Sequence, residues 1–388
     1  MKRFTVYLLM VAVFLTATSE LVVAGILSVL AEELHVSVAL AGQLITAYSL
    51  AFATGTPVII SLTSRMGRKK LLLFAMAAFL VGNLVSFVSD AFALLIAARV
   101  ILGISSGVLM VAAFSTASKL VSPERIGSAV GTIILGFSLA MILGVPIGIK
   151  LTDWFGWQTI FLLLAIAGLI IILLMALLLP ESEGDAPAPF SRQLSVLANP
   201  VILFALIYVL FREIGNSVMF TYVTAFMEEI LQRSASDIAF IMLAFGIAGA
   251  VGSRLGGSAA DRFGSEKVML ISIIGHIVAL ALLPLAIQSL PLAIGLLSLW
   301  VISMFMSGPA SQTFFLKKSP ESANLIISLN TSITQVGLAA GAGLGGMAVT
   351  MNATVLYNPW VASAALLLAA AAALVSVRRS THKLAAAA

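Results

Sequence analysis

Phe14-Leu-Thr-Ala-Thr-Ser-Glu20-Leu-Val-Val-Ala-Gly25 places one carboxylic acid in the middle of an otherwise apolar stretch. A carboxylate at the centre of a membrane helix costs about 2.5 to 3.5 kcal/mol to insert, so such an acid is more often kept for transport than for folding. Working outward, the surroundings are membrane-like throughout. Hydrophobic residues make up 61% of the 388 and charged residues 10%. A soluble domain is nearer one quarter charged. Mean hydropathy is +1.14. With about 20 apolar residues as the unit of a membrane crossing, twelve spans are predicted, at 4–30, 38–61, 71–89, 92–117, 127–151, 157–179, 199–227, 236–258, 267–288, 291–315, 322–349 and 353–376. The predicted fold is therefore an all-α membrane protein.

Charge placement orients the spans. If they alternate, Lys2, Arg3, Arg65, Arg68, Lys69, Lys70, Lys119, Arg125, Arg192, Arg262, Lys267, Lys317, Lys318, Arg378, Arg379 and Lys383 share one side, and Lys150 and Arg233 stand on the other. By the positive-inside rule both termini are cytoplasmic. The net charge of +5 is then a topology signal, and no nucleic-acid partner is expected. The first apolar segment runs too long for a cleaved leader and is read as a retained helix. There is no cysteine, which excludes disulfides, thiol catalysis and cysteine metal sites. No phosphate loop, His-rich metal cluster or nucleophile triad points to an enzyme.

Pro180-Glu-Ser-Glu-Gly-Asp-Ala-Pro-Ala-Pro-Phe-Ser-Arg-Gln is the longest polar stretch, and its Pro, Gly and acidic content marks a linker. The expected organisation is a six-helix bundle at 1–180, a cytoplasmic linker at 181–198, a second six-helix bundle at 199–380 and a tail at 381–388 whose alanine run resembles a vector scar. The halves echo each other. Arg65-Met-Gly67 and Arg262-Phe-Gly264 lie 197 residues apart, and Gly136 and Gly144 precede Gly337 and Gly345 by 201. Similar offsets for two unrelated features indicate a duplication, the pattern of transporters that bind at the midplane and alternate access by rocking their halves.

These residues resemble the major facilitator superfamily. Arg65-Met-Gly67-Arg68-Lys and Gly257-x-x-x-Asp261-Arg262-Phe-Gly are similar to its cytoplasmic-loop motif. The first copy departs from it, with Ile60 in place of the leading glycine and Ser64 in place of the acid, so a gate built on that motif depends more on Asp261. Arg99-Val-Ile-Leu-Gly103-Ile-Ser-Ser-Gly107 resembles the family's span-four basic motif, and Gly136-x7-Gly144-Val-Pro146-Ile-Gly148 the span-five motif of its proton-coupled efflux antiporters. Thr-Ser-Glu20-Leu-Val-Val-Ala-Gly, Ala41-Gly-Gln43-Leu-Ile and Leu329-Asn330-Thr-Ser-Ile-Thr-Gln335-Val-Gly are similar to bacterial purine base and nucleoside efflux permeases of the twelve-span drug:proton antiporter branch. The resemblance implies two pseudo-symmetric six-helix bundles in a bacterial cytoplasmic membrane, a monomer in the lipid bilayer, and export of small organic compounds in exchange for protons, with no cofactor beyond the coupling proton. Broad drug export, sugar export and a non-transporting sensor are the rival readings.

Individual residues carry expectations of their own. Glu20 has Thr16 one turn earlier and Ser19 beside it as hydroxyl partners; it is either the proton carrier or a permanently paired structural acid. Arg99 either faces the same cavity, as the resemblance implies, or snorkels to the outer interface. Arg212 and Glu213 are adjacent and project about 100° apart, so they are expected to partner different helices, as a second proton site or as a structural pair. Asn216 and Phe220 lie on Glu213's face and form a polar-to-aromatic stripe suited to a planar substrate. Gln43, Tyr48, Phe137, Tyr222, Trp300, Asn330, Thr331 and Gln335 are further recognition residues by amide or aromatic chemistry, or else packing. His276 is read as packing. Gly136, Gly144, Pro146 and Gly148 shape span five, and Gly67, Arg68, Gly257, Asp261 and Arg262 are gating residues.

Overall fold

The structure, a computed structural model, describes residues 2–63, 65–120, 126–181, 198–318 and 323–385. Every regular element among the described residues is a helix, and twelve helices are long and apolar enough to cross a membrane. In order these spans are Phe4–Gly25, Val38–Ile60, Arg68–Phe87, Phe92–Ala117, Thr132–Phe155, Gln158–Leu178, Pro200–Phe220, Ala235–Phe263, Ser265–Leu285, Leu290–Phe315, Leu329–Asn352 and Asn358–Arg379. They are called spans one to twelve below. The predicted linker lies almost wholly outside the described residues, as does Ser64.

Local chemistry sets the span ends. The Ser37 hydroxyl accepts from the Leu40 amide at 3.1 Å before span two. Asn199 Oδ1 accepts from the Val201 amide at 3.1 Å before span seven, where Pro200 occupies the first helical turn. Ser234 and Asp237 cap span eight reciprocally, each accepting from the other's backbone amide. These contacts satisfy donors that a helix leaves open at its start. The loop after span eight turns at Gly264 with φ of +92°, a conformation that glycine alone adopts without strain.

The chain divides into two compact units, Met1–Pro187 with Arg233–Gly246, and Ala188–Gln232 with Ile247–Ala388. The start of span eight thus belongs with the first unit, a departure from a simple six-plus-six division.

Within each unit, glycines let helices approach until backbone meets backbone, the packing device that lipid-embedded bundles rely on. In unit one, a Cβ at Gly136 would strike the Met10 carbonyl and lie 3.2 Å from the Phe14 amide nitrogen, one at Gly144 would strike Thr18, and one at Gly148 would strike Val22. Span five is therefore held along span one. In unit two, a Cβ at Gly337 would lie 2.9 Å from the Leu210 carbonyl and 3.4 Å from the Ile214 amide, and one at Gly345 would lie 3.2 Å from the Val218 carbonyl. Met10 corresponds to Leu210, Phe14 to Ile214 and Thr18 to Val218, a register of 200 residues. A second contact repeats in the same way. A Cβ at Gly82 in span three would lie 2.7 Å from Leu102 of span four, and one at Gly275 in span nine 2.6 Å from Ser303 of span ten, a register of 201 on the receiving helix. The duplication read from loop and glycine spacing is thus present in the packing.

Span five departs from a regular helix just where the motif lies. Residues Ala140–Gly144 form a π-helical turn immediately before Val145 and Pro146. Proline supplies no amide to the preceding turn, and a widened turn is one way to accommodate it.

Candidate functional site

Glu20 lies toward the end of the apolar Phe4–Gly25, but the helical ladder continues past it, with the Ile26 amide bonded to Val22 O at 3.0 Å and Leu30 to Ile26 O at 3.0 Å. The acid is half-buried. The hydroxyl partner predicted one turn earlier is engaged elsewhere: Thr16 Oγ1 donates to its own helix, to Val13 O at 3.1 Å. A threonine that can reach back to the preceding turn does so. The Ser19 hydroxyl has no hydrogen-bond partner among the described residues. Glu20 is met instead from span two, where the Tyr48 hydroxyl donates to Oε2 at 3.4 Å. Tyr48, expected to contact substrate, is a fully buried neighbour of the acid.

Arg99 completes this group. It is 1% exposed, so it does not snorkel; Nη1 donates to Ser19 O at 2.7 Å and the guanidinium lies 5.1 Å above the Phe161 ring. It interacts electrostatically with both Glu20 and Tyr48. Nε and Nη2, the side-on edge of the guanidinium, have no hydrogen-bond partner among the described residues. Glycines again explain the placement. A Cβ at Gly103 would strike the Tyr48 carbonyl and one at Gly107 would strike Thr56, so span four lies tight on span two and brings Arg99 and Tyr48 to one place.

The second acid sits in a different arrangement. Arg212 Nη2 pairs with Glu213 Oε1, contrary to the expectation that adjacent side chains 100° apart would find separate partners. The angle between Cα–Cβ directions holds, but the guanidinium is long enough to fold back across it. Arg212 Nη1 also donates to the Ser311 hydroxyl of span ten at 3.1 Å, and the guanidinium lies 5.6 Å above the Tyr208 ring. Glu213 Oε2 accepts from Asn216 Nδ2 at 3.3 Å. Both charges are buried and mutually satisfied.

The remaining predicted residues scatter. Tyr222 is tied into the helix packing: its hydroxyl donates to the Ala342 carbonyl at 3.0 Å and its ring packs on Gly345. Gln43 and Phe137 are half-buried. Gln335 is buried, and Asn330 and Thr331 half-buried, on span eleven. Phe220 and Trp300 have ring centroids 6.4 Å apart. Arg68 is buried and follows Gly67, which opens span three. Asp261 and Arg262 are exposed, with Arg262 5.3 Å above Phe263, and Asp261 forms no ion pair with a described residue. Around Gly257 the space is open, the nearest atom to a Cβ there being Pro309 Cβ at 4.0 Å.

His276, read as packing, is fully buried in span nine with its ring 6.4 Å from Trp300, and neither ring nitrogen has a hydrogen-bond partner among the described residues. Its sequence signal was only that a histidine interrupts an apolar span.

Twelve helices of membrane-crossing length in two glycine-packed repeats, each with an acid and a buried arginine within its spans, define a polytopic membrane transporter, not an enzyme. The chain belongs to the Major Facilitator Superfamily, whose family model matches residues 9–342 and 206–387. It is similar to two proteins of Bacillus subtilis (strain 168). It is 35% identical to the uncharacterized MFS-type transporter YbcL, over 95% of this chain and 94% of that one, and 29% identical to the uncharacterized MFS-type transporter YtbD, over 91% and 90%. Among solved structures it resembles a bacterial homologue of the human lysosomal transporter Spinster, with a TM-score of 0.81 at 15% identity and 97% coverage of both chains. A D-xylose-proton symporter matches with a TM-score of 0.81 at 16% identity, over 96% of this chain and 97% of that one. These likenesses show the fold.

Proposed function

We propose that the chain exports small organic molecules, with purine bases or nucleosides as the first class to test, in exchange for protons across a bacterial cytoplasmic membrane, with both termini cytoplasmic and the monomer as the working unit. The observation that carries this reading is the Glu20 group: a half-buried carboxyl inside an apolar helix, a tyrosine hydroxyl at 3.4 Å and a fully buried arginine beside it. Protonation removes the cost of holding that charge away from water. Glu20 is the coupling group. An external proton neutralises it as substrate leaves outward, and its release inside readmits substrate. The direction of transport rests on the likeness of Gly136-x7-Gly144-Val-Pro146-Ile-Gly148 to an antiporter motif. Those glycines are the ones that fasten span five to the helix carrying Glu20, so a change of state at the acid is felt where the two helices touch.

The driving force suffices. A potential of 100 mV contributes about 2.3 kcal/mol per proton and a pH unit about 1.4 kcal/mol, enough for a gradient of several hundredfold. The test is flux in proteoliposomes under an imposed pH gradient, with adenine, hypoxanthine, inosine and a cationic dye as the panel. Purine export that collapses with the proton gradient is the expected result. Purine flux indifferent to the gradient, or flux of the dye alone, contradicts it.

A further inference from the structure

The packing registers identify which residues of one repeat stand where those of the other do. With a register of 200 between spans one and seven, Glu20 corresponds to Phe220, and with 201 between spans four and ten, Arg99 corresponds to Trp300. The Gly82 and Gly275 pair, 193 apart, aligns Asn83 with His276. Where the first unit holds a carboxyl and a guanidinium, the second holds two aromatic rings 6.4 Å apart, with an imidazole 6.4 Å from one of them.

This aromatic group carries hydrogen-bonding atoms that the protein leaves unmet. Trp300 Nε1, both nitrogens of His276 and, one turn from Phe220 on the same helix face, Asn216 Oδ1 are buried and have no hydrogen-bond partner among the described residues. Each unmade hydrogen bond of this kind is costly, and native proteins seldom tolerate several together without a ligand or water to meet them. The set is also mixed in character. The indole nitrogen can only donate, the amide oxygen can only accept, and a neutral imidazole does one at each nitrogen.

We propose that Phe220, Trp300, His276 and Asn216 form a ligand-recognition site in the second unit, and that its ligand is a planar nitrogen heterocycle with hydrogen-bond donors and acceptors on its rim. Aromatic faces accept the ring, and the unmet atoms read its edge. This deepens the substrate reading above and rests on it for the ligand class. The two units then divide the work: proton chemistry at Glu20 and Arg99, ligand chemistry at the corresponding place in the other repeat. His276 is a specificity residue of that site.

The test is equilibrium binding of radiolabelled hypoxanthine to the purified full chain in detergent, with no proton gradient. The wild type is expected to bind saturably, with indene, a planar hydrocarbon of similar size, failing to displace it. His276→Phe keeps a ring and removes both nitrogens; it and Trp300→Phe should each weaken binding about tenfold, while His276→Gln, which restores an amide, should recover most of the loss. Elution profile and melting temperature report whether each variant folds. Wild-type-like binding by folded His276→Phe overturns the proposal. So does the absence of saturable binding by the wild type up to millimolar hypoxanthine, which would mean the unmet atoms hold water only. A chain that binds hypoxanthine in this pattern but does not export it sinks the transport reading alone. Proton-driven purine export indifferent to His276→Phe sinks the recognition site alone.

Discussion

The two repeats each hold an acid near a buried arginine, Glu20 half-buried and Glu213 buried, yet the pairs are not counterparts. Glu20 draws its neighbours from other helices, Tyr48 from span two and Arg99 from span four. Glu213 is held by the residue beside it and the residue one turn on, Arg212 and Asn216. In the 200-residue register Glu213 corresponds to Val13, seven residues and about 10 Å of helix from Glu20's place. An acid whose neighbours lie on different helices feels any movement between those helices. An acid paired within its own helix carries its partner with it. On that difference rests the proposal that Glu20 couples the proton and that Glu213 is structural.

The sharpest way to break this comparison is to unpair the second acid. Arg212→Met leaves a buried carboxylate without its cation and should cost about 3–5 kcal/mol of stability, whereas the double change Arg212→Met with Glu213→Met should recover most of it. Thermal unfolding in detergent measures both. If the double variant keeps proton-driven export, the Glu213 pair is structural.

Close packing offers the next contrast. Gly337→Ala would place a Cβ 2.7 Å from Glu213 Cβ and 2.9 Å from the Leu210 carbonyl, overpacking that should cost about 1–3 kcal/mol. Gly295→Ala in span ten meets nothing within 4 Å and should raise stability by about 0.4–1 kcal/mol. Equal effects at the two sites would mean that the glycine contacts do not hold the helices. Tyr48→Phe removes one long hydrogen bond to Glu20 and should slow export by about fivefold or less with the fold unchanged. The smallest effect belongs to Lys318 and Glu266, 2.9 Å apart and partly exposed at span ends, where Lys318→Met should cost about 0.2–1 kcal/mol.

Much of the fold was legible because hydropathy at the length of a bilayer is a strong signal; all twelve predicted spans have a counterpart, with ends that differ by up to seven residues. The duplication was legible too, since glycine spacing reports helix contact directly. The site was legible in part. Glu20 and Arg99 were found as charges in apolar stretches and do share one place. What spacing did not give was the partners. Thr16 turns back to its own helix, Tyr48 lies against the acid, and Tyr222 ties two helices through a carbonyl. Sequence spacing on one helix says nothing about what a second helix delivers, and the hydroxyl of a threonine or tyrosine goes to whichever acceptor packing brings nearest. Arg212 and Glu213 show the converse error, in which helical projection was weighed without the reach of a long side chain. His276 was read as packing because a lone histidine in a span carries no pattern; that its two nitrogens lack a partner among the described residues, and that Trp300 lies beside it, are visible only in the structure.

The assignment of the proton to Glu20 is tested most directly by two assays on one variant. In proteoliposomes, Glu20→Gln should retain hypoxanthine counterflow, which needs no net proton movement, and lose export driven by a pH gradient. Glu20→Gln vesicles that still export hypoxanthine at the wild-type rate when only a pH gradient is imposed would contradict the account.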